Sequence, residues 1–145
     1  MANKNKTPKS VSVPVGKKPK EIVIQESYYS KSPSWRFSIM DKDHAEWSFT
    51  KNNRMSESDI LNRLSAFEQQ QWKDIIGDRN HFIETHHLIK EAQIRMTELG
   101  LYYESIFSLT INSRERIFGI MDNGVLLLLW YDEFHKICPS TKKHT

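Results

Sequence analysis

The sequence predicts an α+β domain: an antiparallel sheet, in the order β-β-α-α-β-β-β, with two helices packed on one face. Three observations predict it. Apolar residues alternate in separate regions, two stretches repeat them at three- and four-residue steps, and an Asn-Gly pair joins two apolar runs near the C-terminus. The pair is the sharpest signal. Asn123-Gly124 accommodates the positive φ values of a two-residue hairpin turn between strands over 116–120 and 125–131. The second run, Val125 to Tyr131, is apolar at every position, so both its faces must be covered and it belongs inside the sheet.

Residues 1–22 are rich in Lys, Pro, Ser and Asn, with isolated valines and no sustained period. Such a segment buries too little apolar surface to offset the entropy of ordering, which predicts a disordered basic arm. Residues 23–139 follow as a single domain, and 140–145 as a basic tail. Residues 22–29 add an edge strand, set apart by Pro33. Trp35, Phe37 and Ile39 alternate with Arg36, Ser38 and Met40. Asp41-Lys42-Asp43-His44 is turn material, and Ala45, Trp47 and Phe49 alternate again, which predicts a hairpin over 34–50.

Ser56-Glu57-Ser58-Asp59 has the Ser-x-x-acid form of a capping box. The helix it starts carries Ile60, Leu61, Leu64, Phe67, Trp72, Ile75 and Ile76 on one stripe and ends at Gly77. A second helix runs from about Thr85, with Leu88, Ala92, Met96 and Leu99 inward, to Gly100. Phe107, Leu109 and Ile111 then alternate, and Asn112-Ser113 bends the chain into the last hairpin.

A chain of 145 residues, 38% hydrophobic and 27% charged, fits one packed domain. No apolar run approaches the roughly 20 residues that span a bilayer, and the basic start lacks the apolar segment of a secretory signal. A lone cysteine, Cys138, excludes an intrachain disulfide, so a cytoplasmic setting is expected. The net charge of +3 is unevenly placed. Residues 1–22 hold six lysines against one acid and 136–145 hold three lysines, while the body between them is net −5. Such a body lacks a broadly basic face. A polyanion would meet the ends, through Lys17, Lys18, Lys20, Lys142 and Lys143, although basic tails that only confer solubility are commoner.

Candidate chemistry gathers where the last strand ends. Asp132, His135 and Lys136 lie there, with Arg114 and Arg116 at the start of the partner strand. In a hairpin centred on 123–124, Arg116 falls opposite position 131, near Asp132. Histidine exchanges protons near neutral pH, and Arg and Lys stabilise phosphate charge, a set that suits phosphodiester cleavage. A plain cross-strand pair of Arg116 with Asp132, and a turn capped by His135, accounts for the same residues structurally. Of His81, His86 and His87, only His87 has a ligand type one helical turn away, at Glu91. One such pair does not make a metal site, so no metal or other cofactor is expected. Trp35, Trp47, Trp72 and Trp130 sit on apolar faces and read as core. The sequence has no glycine-rich phosphate loop, Gly-x-Ser-x-Gly elbow or His-Glu-x-x-His.

The segment Arg116-Ile-Phe-Gly-Ile…Trp130-Tyr-Asp132-Glu-Phe-His135-Lys-Ile-Cys-Pro139, ending Lys-Lys-His-Thr145, resembles a family of small, functionally uncharacterised proteins of bacterial chromosomes and mobile elements. Two helices followed by a three-stranded antiparallel unit are also similar to the RelE/ParE-like toxins. That resemblance implies an mRNA endonuclease or gyrase inhibitor neutralised by a cognate antitoxin. It places functional groups on the last strands, where Arg114, Arg116, Tyr131, His135 and Lys136 lie. The extra N-terminal hairpin and the acidic body depart from the pattern. Two functional readings follow: a binding or regulatory module of a toxin–antitoxin or defence-type system, and a metal-independent endoribonuclease acting on RNA.

Overall fold

The computed structural model describes residues 28–49 and 57–139. Strands β1 (Ser34–Arg36), β2 (His81–Glu84), β3 (Ser105–Thr110), β4 (Arg116–Asp122) and β5 (Val125–Asp132) form one sheet in the order β1-β5-β4-β3-β2. Helices α1 (Glu57–Phe67), α2 (Trp72–Ile75) and α3 (Lys90–Glu98), with a 3-10 turn at Thr85–His87, complete an α+β fold.

The Asn-Gly hairpin forms as expected. Asn123 and Gly124 adopt φ of 51° and 94°, and Asp122 faces Val125. Strand β5 lies inside the sheet, with Leu126, Leu129, Trp130 and Tyr131 fully buried. Covering it on both sides requires helices on both sides, and this overturns the expectation of two helices on one face. Helices α1 and α2 bury Leu64, Phe67, Trp72 and Ile75 against Leu109, Ile117, Leu126 and Leu128. Helix α3 buries Ala92 and Met96 on the opposite face, against Ile106, Phe118, Ile120 and Trp130.

A bulge sets which residues reach which face. Phe118 pairs with Trp130 and Gly119 with Leu128, so Leu129 is the extra residue. Leu129 and Trp130 consequently share the α3 face, and Tyr131 returns to the other.

The predicted hairpin over 34–50 does not form. Only Ser34–Arg36 is a strand, and it runs parallel to β5. The chain then follows the outer side of β5 in turns, with Asp41 N–H bonded to the Leu129 carbonyl (3.1 Å) and Tyr131 N–H to the Trp47 carbonyl (2.9 Å). The reason is the buried carboxylate of Asp41, which gathers main-chain N–H groups and side chains into a knot that a flat strand pair would not permit.

The first predicted helix divides into α1 and α2. The Trp72 N–H donates to the Lys31 carbonyl (2.9 Å) and its indole N–H to the Gly124 carbonyl (2.8 Å), anchoring α2 to the hairpin turn. The second helix starts at Lys90 rather than Thr85 and ends as expected at Gly100, φ 76°. There Leu101 N–H reaches the Met96 carbonyl and Gly100 N–H the Thr97 carbonyl, a Schellman stop. Strand β2, on the exposed edge, falls where no strand was expected. The edge strand over 22–29, the Ser56 cap, and the arm and tail with Lys17, Lys18, Lys20, Lys142 and Lys143 lie wholly or largely outside the described residues.

Candidate functional site

Helix α3 covers only part of its face of the sheet. Beyond Ile106 and Phe118 the inward positions turn polar: Ser108 and Thr110 on β3, Arg116 on β4 and His81 on β2, where His81 pairs with Ser108 and Thr110 with Arg116. These four floor an open cleft of about 890 Å³. Asp78 and Arg79 form one wall, Glu84 and His87 another, and His135, Cys138 and Pro139 a third.

Each wall is held by specific bonds. Asn80 staples the turn before β2 to the sheet: its carbonyl accepts the Gly77 N–H (2.8 Å) and its side chain accepts the Thr110 N–H (2.7 Å). The Thr110 hydroxyl donates to the Arg79 carbonyl, which fixes the main chain beside the Arg79 guanidinium. On the opposite side, Asp132 turns its two oxygens onto the N–H groups of Lys136 (2.9 Å) and Ile137 (2.8 Å). The Ile137 carbonyl accepts the Ile89 N–H (2.9 Å), so the loop after β5 is tied to the start of α3. Between these anchors His135 takes a left-handed conformation, φ 59°. A non-glycine residue there costs on the order of 1 kcal/mol and persists where its surroundings over-determine it.

Arg116 is half-buried in the cleft. Its Nη1 donates to the carbonyls of Asn112, Ser113 and Glu115 at 3.2–3.3 Å. Burial and then the neighbouring Arg79 charge push its ionisation down, and both arginines line the same cleft. Burial, and then the charge of Arg116, push the His135 imidazole down, so it is neutral at neutral pH and able to accept a proton. Burial pushes the Asp132 carboxyl up against the pull of its two N–H bonds. Cys138 is pushed up by burial and by Asp132, and its thiol rests on the His87 carbonyl (3.7 Å), the setting of an unreactive cysteine.

The five predicted site residues therefore separate. His135 and Arg116 share the cleft. Asp132 is buried and works on the main chain, holding the loop that carries His135. Register sets it opposite Arg116, but its two oxygens go to main-chain N–H groups, and the expected ion pair with Arg116 is not among the ion pairs of the described residues. Arg114 and Lys136 lie over the exposed ring of Phe134, at 5.0 and 5.7 Å from its centre, and Lys136 also approaches Glu46 (4.0 Å). They line a surface next to the cleft and are absent from its lining. Tyr131 is buried on the far face. The His87–Glu91 pair does not form, because the helix starts after His87; Glu91 instead accepts from His44 Nε2 at 3.1 Å.

Arg79, Ser108 and Thr110 escaped the sequence reading, and His81 entered it only as a metal-ligand candidate. The one available signal was polar residues at inward positions of β3, alternating with Phe107 and Leu109. Comparison of the chain with protein-family models, with curated proteins and with solved structures returns no match.

Proposed function

We propose that this protein is an RNA-binding module of a toxin–antitoxin or defence-type system, and that its cleft grips a backbone phosphate. The observation that carries the proposal is that Arg116 and Arg79 line one cleft whose floor includes the Ser108 hydroxyl. Two like charges in a half-buried cleft repel each other, and an anion between them removes the penalty. Guanidinium groups bind phosphate through charge-assisted hydrogen bonds, and a hydroxyl such as that of Ser108 adds a donor without adding charge. The acidic rim, Asp78 and Glu84, disfavours a long polyanion lying flat and favours a single phosphate entering the cleft.

Fluorescence anisotropy with a short single-stranded RNA tests this on the full chain. Losing one charge-assisted contact costs about 1.5–3 kcal/mol, so Arg116→Ala and Arg79→Ala should each weaken binding by about ten- to a hundredfold. The loss should persist when Lys17, Lys18 and Lys20 are replaced together by alanine, which separates the cleft from electrostatic capture by the arm. Equal affinity in wild type and both arginine variants would refute the proposal.

One observation favours a catalytic extension of the same site. His135, neutral at neutral pH beside Arg116, has the properties of a general base that takes a proton from a ribose 2′-hydroxyl as that oxygen attacks the adjacent phosphorus. The P–O5′ bond breaks, solvent water protonates the departing 5′-oxygen, and Arg116 steadies the developing phosphoryl charge. The resemblance to RelE/ParE-like toxins supports it through the β3-β4-β5 antiparallel unit that follows the helices. Induced expression provides the measurement: wild type should arrest growth and His135→Ala should not. Equal arrest by both removes His135 from the chemistry.

A further inference from the structure

We propose that Glu84, His86 and His87 form a binding site for a first-row transition-metal dication of the zinc class, on the rim of the cleft. Their ligand atoms all lie within 4.8 Å of one another, and they are the group of this kind among the described residues. Glu84 Oε1 stands 3.4 Å from His86 Nε2 and 4.0 Å from His87 Nδ1. Four ligands about 2.1 Å from a tetrahedral ion stand about 3.4 Å apart, so the first separation already matches and the second needs a small closure.

The backbone explains why adjacent histidines converge. Successive residues on a tight turn normally splay, but here His86 offers its far nitrogen and His87 its near one, and the rings lie 4.2 Å apart. The turn that carries them is clamped at every carbonyl from Thr85 to Leu88. Leu88 N–H bonds to Thr85, the Gln93 amide to His86 (3.3 Å) and Leu88 (2.8 Å), and the Cys138 thiol to His87. Its start is held as well, by Thr85 N–H on the Glu104 carbonyl (2.8 Å) and the Thr85 hydroxyl on the Tyr103 carbonyl (2.6 Å). Three exposed side chains thus stand on a backbone with little freedom to move, which lowers the entropy cost of gathering them around an ion.

The donor set selects the class of ion. Two imidazoles and one carboxylate suit borderline cations, whereas calcium and magnesium call for more oxygen donors. Three protein ligands leave a fourth position open to water. Because Glu84 and His87 also line the cleft, while His86 faces the neighbouring hollow with Gln93 and Glu104, the ion would sit on the ridge between the two. The proposal stands whether or not the cleft binds RNA.

The test titrates zinc chloride into the full-length protein, freed of metal by chelation, against a chromophoric competitor. One equivalent should bind. Glu84→Gln, His86→Ala and His87→Ala should each weaken binding at least about tenfold, since even removing a group behind a ligand costs that much. His81→Ala should leave it unchanged, which excludes another histidine of the cleft. Cobalt(II) should give visible absorption that the His86→Ala/His87→Ala double variant lacks. Zinc should likewise raise the unfolding temperature of wild type but not of that variant. All three ligands are exposed, so the variants should fold. Failure to bind stoichiometrically, or equal affinity in the double variant, would overturn the site and leave two surface ion pairs.

Discussion

Asp41 concentrates more bonding than any residue the sequence marked as functional. Its buried carboxylate accepts from Arg95 Nε and Nη2 (both 2.8 Å), from the Trp130 indole (2.9 Å), and from the N–H groups of Asp43 and His44 (3.2 Å each). Burial alone would raise its pKa, but the bonds from Arg95, Trp130 and Asp43 overcome it and hold the group well below the usual carboxylate range. The next residues continue the knot. His44 Nδ1 accepts from Glu46 and Trp47 N–H, so Nε2 carries the proton given to Glu91, and the ring stacks on Trp47 at 4.0 Å. Asp41→Asn should cost about 3 kcal/mol in urea unfolding at neutral pH, the low end for breaking a buried pair because Arg95 keeps some access to water. The sign of the pH dependence follows from the depressed pKa. Wild type should hold this stability above about pH 4 and lose it as pH falls toward the folded value, while the variant shows no such loss.

At the scale of elements, the bulge in β5 links packing to the site. Beyond it, register places Arg116 opposite Asp132, and the chain enters the loop that carries His135. Gly119 lies at the register slip because β5 approaches closely there: a Cβ would overlap the Leu127 carbonyl oxygen and press on the Leu126 side chain at 3.0 Å. Neither the ladder carbonyl nor the buried leucine can yield cheaply. Gly119→Ala should therefore destabilise by about 2 kcal/mol in chemical unfolding, and a neutral result would mean that the strands separate more easily than their packing implies. The elements misread from sequence share a cause. Phe37 and Leu61 fit apolar patterns yet are 53% and 60% exposed, and β2 carries too little apolar alternation to announce itself. Short edge segments take their conformation from a neighbour's free hydrogen-bonding groups, and local pattern does not record that neighbour.

On the scale of the whole molecule, two apolar layers are packed and one end of one face is left polar and open. That layout gives the cleft a pH response. His135 is pushed down by burial and Arg116 and shares the cleft with Asp78, Arg79, His81, Glu84 and His87. When it protonates it adds positive charge beside Arg116. RNA affinity of wild type should therefore exceed that of His135→Gln only below about pH 6.5, with the two curves meeting above pH 7. Anisotropy across pH 5–8 measures it, and parallel curves would mean that His135 does not sense the ligand. The described residues include no helix long and apolar enough to cross a membrane.

The amino-acid sequence by itself determined the α+β class, the Asn123-Gly124 hairpin, the enclosed last strand and the Gly100 stop. These depend on φ preferences and on burial periods that neighbouring residues carry between them. It also pointed to His135 and Arg116, since they flank a hairpin whose register a turn specifies. Only the tertiary structure decided that Arg79, Ser108 and Thr110 join them, that Asp132 serves the backbone, and that Arg114 and Lys136 stand outside. It alone brought Glu84 to His86 and His87, through a 3-10 turn where a helix was expected. The physical reason is reach: local preferences act over a few bonds, whereas a cleft is built where distant segments stop covering a sheet.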